Sequence, residues 1–173
     1  METWEQILVD TESLIQHEKR VELLEETAEL RRAEEATSSL ATRLMGGRDT
    51  EVSIAVLNGQ TIRLVIHDCS TQWLSGVVDS KEIIVPLPAI AHVKGLSAGS
   101  VGDFSGPVSR NMSFAHAIRV FADKHREAVI CMGSESVTGK IVRVGSDCLD
   151  IVCAGEILLL AFAAIDYIAE KRY

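Results

Sequence analysis

The residue types needed for nucleophilic chemistry stand side by side at one place in the chain, His67-Asp68-Cys69. A nucleophile needs a base within hydrogen-bond reach, and the base must be held by a third group. Neighbouring residues of a strand point to opposite faces, so His67 and Cys69 can share a face that Asp68 cannot join. We therefore interpret the trio as part of a turn and expect a protein that is not an enzyme.

A second stretch, Gly133 to Lys140, has some features of a phosphate-binding loop. Five residues separate its glycines where such a loop has four, and Ile141 stands where a magnesium-binding Ser or Thr is needed. The four cysteines form no Cys-x-x-Cys pair and lie in apolar runs, which favours small buried side chains in a reducing compartment. We expect neither a metal nor a cofactor.

The composition is that of a folded, acidic protein. The 173 residues are 47% hydrophobic and 24% charged, with a formal net charge of −8. Such a chain can bury enough apolar surface to offset its ordering entropy. The longest apolar run, 157–165, is too short to span a membrane, and the acidic N-terminus is unlike a signal peptide. We therefore expect a cytoplasmic protein that does not bind membranes.

The N-terminal segment, 1–45, predicts a long helical arm with more than twice as many acidic as basic side chains. Its apolar residues recur at helical spacing, and no glycine or proline interrupts it before Gly46. Such an arm either forms a helical hairpin, packs on its own domain or pairs with a second chain, as a homodimer or with another protein. The positions expected to bind a partner are Trp4, Ile7, Leu8, Leu14, Ile15 and Val21.

The remainder of the chain contains an internal duplication. It becomes visible when the segment around Ile66 is aligned, without gaps, with the later segment around Ile141. In this alignment Ile66 meets Ile141, for example, and Leu87 meets Phe162. Apolar positions then coincide over about forty residues, which is the signature of a repeated unit. The sequence therefore predicts two copies of one small fold, and we call two residues that meet in this alignment equivalent.

Each copy has the pattern of five short strands joined by tight turns. A flat sheet would leave long edges unpaired, so small barrels packed edge to edge are favoured. The predicted fold class is α+β, with a long N-terminal helix followed by two tandem small five-stranded barrels. The predicted boundaries are 1–45 for the arm, 46–96 for the first barrel, 97–111 for a linker and 112–173 for the second barrel with its leading helix.

The stretch from Val137 to Ile151 resembles the first motif of the Sm-like fold, apolar-x-Gly-x-apolar followed by Asp-x-apolar-Asn-apolar. Gly139 stands at the strand bend, where a Cβ would crowd the closing strands. Asp150 stands where the family has its base-binding Asn, and Leu64 replaces the bend glycine in the first copy. The resemblance implies Sm-like or SH3-like barrels more strongly than it implies RNA binding.

The whole chain also resembles a family of uncharacterised actinobacterial proteins, often labelled Fis-type transcriptional regulators. These proteins join an acidic helical arm to two β repeats, which here end at Leu87-Pro88-Ala89-Ile90 and Phe162-Ala163-Ala164-Ile165. A Fis-type regulator binds DNA through a C-terminal helix-turn-helix, whereas the C-terminus of this chain has a strand pattern.

We therefore predict a non-catalytic cytoplasmic interaction or scaffold protein that self-associates through its arm. The alternative is a regulator that binds RNA or DNA through the barrel turns. The acidity of the chain disfavours this alternative, because phosphate binding draws on a basic surface. Its candidate residues are Lys140, Arg143, Ser146, Asp147 and Asp150, with Arg119, Lys124 and Arg126 near the second helix.

Overall fold

The structure, a computed structural model, describes residues 4–97, 111–125 and 127–171. The chain divides into two compact units, Met1–Ser38 and Ser39–Tyr173. The first unit contains helix α1, Trp4–Thr37, whose side chains are described at 16–17, 19–33 and 36. The predicted linker lies mostly outside the described residues.

The second unit holds two short helices and ten strands among its described residues. Its helices are α2, Leu40–Met45, and α3, Phe114–Lys124. Two short 3₁₀ helices span Leu87–Ala89 and Phe162–Ala164. The strands are β1 (Glu51–Val56), β2 (Thr61–Cys69), β3 (Trp73–Val78), β4 (Lys81–Pro86), β5 (Ile90–Lys94), β6 (Ala128–Met132), β7 (Glu135–Val144), β8 (Cys148–Cys153), β9 (Glu156–Ala161) and β10 (Tyr167–Glu170).

The helix predicted to continue to Gly46 is interrupted at Ser38 and Ser39, where α2 begins as a separate helix. The Ser39 hydroxyl accepts the backbone N–H of Thr42, and the Thr42 side chain accepts the backbone N–H of Ser39. This reciprocal capping box satisfies two donors that have no partner within a helix. The interruption follows because Ser and Thr side chains compete for backbone groups inside helices and are favoured at caps.

The ten strands form one open antiparallel sheet in the order β5-β1-β2-β3-β4-β10-β6-β7-β8-β9. The predicted fold class, a long N-terminal helix followed by two separate five-stranded Sm-like or SH3-like barrels, is therefore wrong. The two halves are joined by β4 and β10, with Ile84 opposite Ile168 and Ile83 opposite Ala169. This joint pairs the exposed edge of one half with the edge of the other, and it makes a single continuous sheet.

The two halves of the sheet have the same internal strand order, because β5-β1-β2-β3-β4 is followed by β10-β6-β7-β8-β9. The strands β3 and β4 and the first 3₁₀ helix recur at equivalent positions as β8, β9 and the second 3₁₀ helix. A bulge interrupts pairing between Ile66 and Asp68, and another lies at the equivalent residues, Ile141 and Arg143. Bulges bend a strand, so β2 and β7 bend at equivalent positions.

The joint belongs to both hydrophobic cores of the sheet. The first core lies under α2 and the second under α3. On β4, Ile83 and Val85 pack into the first core, whereas Ile84 packs into the second. On β10, Ile168 packs into the second core, whereas Ala169 packs against the first. Each strand of the joint therefore contributes side chains to both halves, which makes the two cores interdependent.

A close approach between adjacent strands needs one small residue in each half. A Cβ on Gly139 would overlap the carbonyl oxygen of Val152 and lie 3.1 Å from Cγ1 of Ile151. In the first half the sizes are exchanged, because Leu64 is equivalent to Gly139 and Gly76 is equivalent to Ile151. A Cβ on Gly76 would lie 2.7 Å from Cδ1 of Leu64. The small residue therefore stands on β3 in the first half and on β7 in the second half.

We expect Gly139→Ala to lower the free energy of unfolding by about 2–3 kcal/mol, because the added carbon has no space beside the backbone of Val152. Urea unfolding monitored by circular dichroism measures this effect. Lys140→Ala, at the exposed neighbouring position, is the matched control and should change stability little. Equal unfolding midpoints for the two variants would contradict the close approach.

Candidate interaction surfaces

The predicted partner-binding residues lie on α1. Val21 is 41% exposed, and the leucines that follow are more exposed still, 66% at Leu24 and 63% at Leu30. The helix therefore presents Leu and Val side chains to solvent over several turns. The remaining predicted positions lie outside the side chains that the structure describes: Trp4, Ile7, Leu8, Leu14 and Ile15.

The apolar side chains of α1 fall on two faces. With about 100° of rotation per residue, Val21, Leu24 and Ala28 lie on one face, which continues the predicted spacing of three and four residues. Leu23 and Leu30, seven residues apart, lie on a second face. We call the first of these the arm stripe. A helix with such a stripe gains stability when another apolar surface covers it.

The five residues predicted to contact nucleic acid lie on β7, on β8 and in the turn between them. Arg143 on β7 lies directly opposite Asp150 on β8, so an acidic residue faces this basic residue across the two strands. Burial and the carboxylates of Asp147 and Asp150 raise the pKa of the Cys148 thiol. Lys140 and Ser146 are exposed on the same segment. The segment therefore carries acidic as well as basic side chains.

The basic residues near α3 are used within the fold. The Arg119 guanidinium donates to the carbonyl oxygens of Val144 and Gly145, at 3.1 and 3.4 Å. The Lys124 ammonium lies 3.4 Å from a carboxylate oxygen of Glu82. Arg126 lies outside the described residues. These contacts tie α3 to β7 and to β4.

The trio His67-Asp68-Cys69 lies in strand β2, so its interpretation as a turn is wrong. The bulge between Ile66 and Asp68 allows the strand to continue through these polar residues. Burial, together with the charge of Asp68, raises the pKa of the Cys69 thiol to about 12. The thiolate is the nucleophilic form of cysteine, so Cys69 is inert near neutral pH.

A polar cluster spans the joint between the halves. The Glu82 carboxylate on β4 lies 2.9 Å from Nε2 of His125 and 3.4 Å from the Lys124 ammonium. His125 Nδ1 lies 3.6 Å from Glu170 on β10. Burial opposes ionisation of Glu82, but its hydrogen bond with His125 and the charge of Lys124 outweigh it, and the pKa falls below 4.5. The cluster therefore ties β4, β10 and the end of α3 together.

Two further hydrogen bonds hold the segment that leads into α3 against the first half. The indole N–H of Trp73 donates to the carbonyl oxygen of Met112 at 3.0 Å. The backbone N–H of Phe114, at the start of α3, donates to the side-chain oxygen of Gln72, also at 3.0 Å. Trp73 itself packs into the second core although it belongs to β3. The first half thus supplies part of the wall of the second core.

An apolar cleft of about 880 Å³ lies beside the joint, between the two 3₁₀ helices and the N-termini of α2 and α3. The rings of Phe114 and Phe162 meet edge to face on one wall, with centroids 5.2 Å apart. Among the described lining residues Asp166 is the one carboxylate, and its Oδ2 accepts the backbone N–H of Gly133 and the amide N–H of Asn58. The described lining offers apolar contact and lacks a second titratable group for acid–base chemistry.

Strand β9 forms an apolar edge of the sheet, which the sequence reasoning did not single out as a site. It is the last strand in the sheet order, and its sequence is Glu-Ile-Leu-Leu-Leu-Ala. Leu158 and Leu160 pack against the second core. Ile157 and Leu159 point the other way, and each is 69% exposed. The apolar run at 157–165 is the sequence signal of this surface.

We expect Glu82→Gln to lower the free energy of unfolding by about 1 kcal/mol near pH 7. The pKa of Glu82 is lower in the folded protein, so its contribution is present above pH 4.5 and is lost as the pH falls through the folded-state value. Urea unfolding at pH 7 and at successively lower pH should therefore show a difference from the unmodified chain that shrinks in acid.

Glu135→Gln, at an exposed carboxylate on β7, is the matched control and should leave stability unchanged at each pH. A stability loss for Glu82→Gln that is equally large in acid would show that the charge of Glu82 does not matter.

No family model, curated protein or solved structure matches the chain. The resemblance to the actinobacterial family labelled as Fis-type regulators therefore stays a prediction. In the described part of the chain, none of the helices has the length and apolar character needed to cross a membrane. Within the same residues, His, Cys, Asp and Glu side chains form no group of three that could hold a metal ion.

Proposed function

We propose that the chain is a non-catalytic interaction protein that self-associates through α1. The observation that carries this proposal is the arm stripe, where Val21 and Leu24 are 41% and 66% exposed on a helix of 34 residues. A second copy of the same helix supplies a matching apolar surface, and the spacing of three and four residues suits packing of two helices side by side.

The chemistry of the described residues supports a non-catalytic role. Burial raises the pKa of the Cys69 thiol to about 12, so Cys69 is in the less reactive thiol form near neutral pH. The described lining of the apolar cleft contains a single carboxylate, that of Asp166, which already accepts hydrogen bonds from the backbone N–H of Gly133 and the side-chain amide of Asn58. Cavities of this size bind small ligands or side chains of partner proteins, which fits a binding role.

We further propose that the two halves of the sheet derive from one duplicated unit, and that the protein works in the reducing cytoplasm. The repeated strand order and the exchanged sizes at Leu64 and Gly76 support the duplication. The four cysteines are free thiols, and Cys148 and Cys153 are only partly buried, which suits a reducing compartment.

The alternative function, binding of RNA or DNA, stays a prediction. Arg143 lies opposite Asp150 and Lys124 lies beside Glu82, so two of the candidate basic side chains are accompanied by carboxylates. Binding to a polyanion relies on unopposed positive charge. The structure therefore adds no support to this alternative.

Light scattering coupled to size exclusion tests self-association through α1. We expect the full chain to show a molar mass that rises with concentration, and Leu24→Glu to lower that mass because a buried carboxylate would lie in the helix pair. Leu23→Glu is the matched control, because Leu23 is 63% exposed and lies about 100° around the helix from Leu24.

The control variant should keep the mass of the unmodified chain. Equal effects of Leu23→Glu and Leu24→Glu, or no effect of either, would overturn the proposal that the arm stripe pairs. Titration of the full chain with an oligonucleotide at two salt concentrations tests the alternative, because binding to phosphates must weaken as salt rises.

A further inference from the structure

Strands β4 and β9 occupy equivalent places in the two halves, but side chains at equivalent positions on them differ in burial. Ile84 on β4 lies in the joint, opposite Ile168 of β10, and is 2% exposed. Leu159 on β9 is the equivalent of Ile84 and is 69% exposed. The same strand position is therefore covered within the chain at one place and left bare at the edge of the sheet.

The opposite edge of the sheet resembles the surface that covers Ile84. Strand β5 is the first strand in the sheet order, so one of its edges lacks a neighbour among the described strands. Val93 on β5 is the equivalent of Ile168 and packs against the first core, as Ile168 packs into the second. Helix α2 packs on β2 as α3 packs on β7. The two ends of the sheet are thus complementary in the way that β4 and β10 are.

We propose that β9 of one copy pairs with β5 of a second copy and repeats the joint between β4 and β10. Transferring the register of that joint to the equivalent residues places Leu159 opposite Val93 and Leu158 opposite Lys94. Leu159 then enters the first core of the second copy, close to α2. The contact continues the antiparallel sheet from one molecule into the next and removes an apolar edge strand from solvent.

The contact between copies is more apolar than the joint within the chain. Glu82 anchors the polar cluster of the joint, whereas its equivalent on β9 is Ile157, which is 69% exposed. Leu40, at the start of α2, is 42% exposed on the complementary end. Large exposed aliphatic side chains at both ends are what an interface core requires.

A contact of this kind joins two different surfaces, so each added copy presents a further free β9 or β5. Such heterologous contacts produce a closed ring or an extended filament, whereas a two-fold pair of β9 strands would stop at a dimer. The inference rests on the sheet edges and is independent of pairing through α1.

Disulfide trapping tests the proposed register. The double variant Val93→Cys/Leu159→Cys places thiols on residues expected to be opposite each other, where Cα separations of about 4.5–5.5 Å allow a disulfide. With copper phenanthroline as oxidant, we expect a ladder of covalent oligomers on a non-reducing gel. The unmodified chain, treated in parallel, gives the background from the native thiols.

Val93→Cys/Leu158→Cys shifts one thiol to the other face of β9 and is the matched control for the register, so it should give no ladder above background. Addition of Ile157→Lys to the trapping pair should abolish the ladder. Addition of Val142→Lys, at a 50% exposed position on β7, should leave it intact.

Three outcomes would overturn the proposal. A covalent dimer from Leu159→Cys alone would show that two β9 strands pair with each other. Equal trapping by the pair and by its shifted control would show contact without register. Absence of any trapped species above background would show that the edges do not meet.

Addition of Leu24→Glu to the trapping pair should leave the ladder intact, because α1 plays no part in this contact.

Discussion

The pairing of β4 with β10 is the interaction on which the remainder of the second unit depends. A strand at the edge of a sheet has unpaired backbone donors and acceptors, and these strands also carry apolar side chains on both faces. Pairing them buries Ile84 and Ile168 together in the second core, while Ile83 and Ala169 remain with the first. Neither core is complete without the strand of the other half. The sheet is therefore one cooperative structure, even though its strand order is the same in both halves.

The local features of this fold could be predicted from the sequence. Whether the strands close into two barrels or form one open sheet could not. Alternation and turn residues predicted five strands in each half, and the alignment of the chain with itself related them, because both signals depend on patterns along the chain. Whether five strands close on themselves or share an edge with five others depends on contacts distant in sequence. The break before Leu40 did have a local signal, Ser39 followed by Thr42, which forms the capping box.

The candidate surfaces also differ in whether they have a local signal in the sequence. The spacing of the arm stripe is a local signal, and Val21 is exposed on α1, whereas the binding of a partner there stays a prediction. The β9 edge was missed, because Leu159 and Leu160 look alike in sequence, and their burial depends on which sheet face is covered. In the first half the small residue is Gly76, which lies against Leu64, whereas in the second half it is Gly139, which lies against Ile151. The close approach of two strands needs one small residue, and either strand can carry it.

The two kinds of contact at the sheet edges differ in polarity for a physical reason. Within the chain, β4 and β10 are tethered, so their effective concentration is high and the joint needs little affinity of its own. It can therefore include the polar cluster of Glu82, His125 and Glu170, whose geometry favours one register over its neighbours. Between copies, association must also offset the loss of translational and rotational freedom. Apolar side chains at the positions of Ile157 and Leu159 provide that additional free energy, and the contact they form varies with protein concentration, whereas the joint does not.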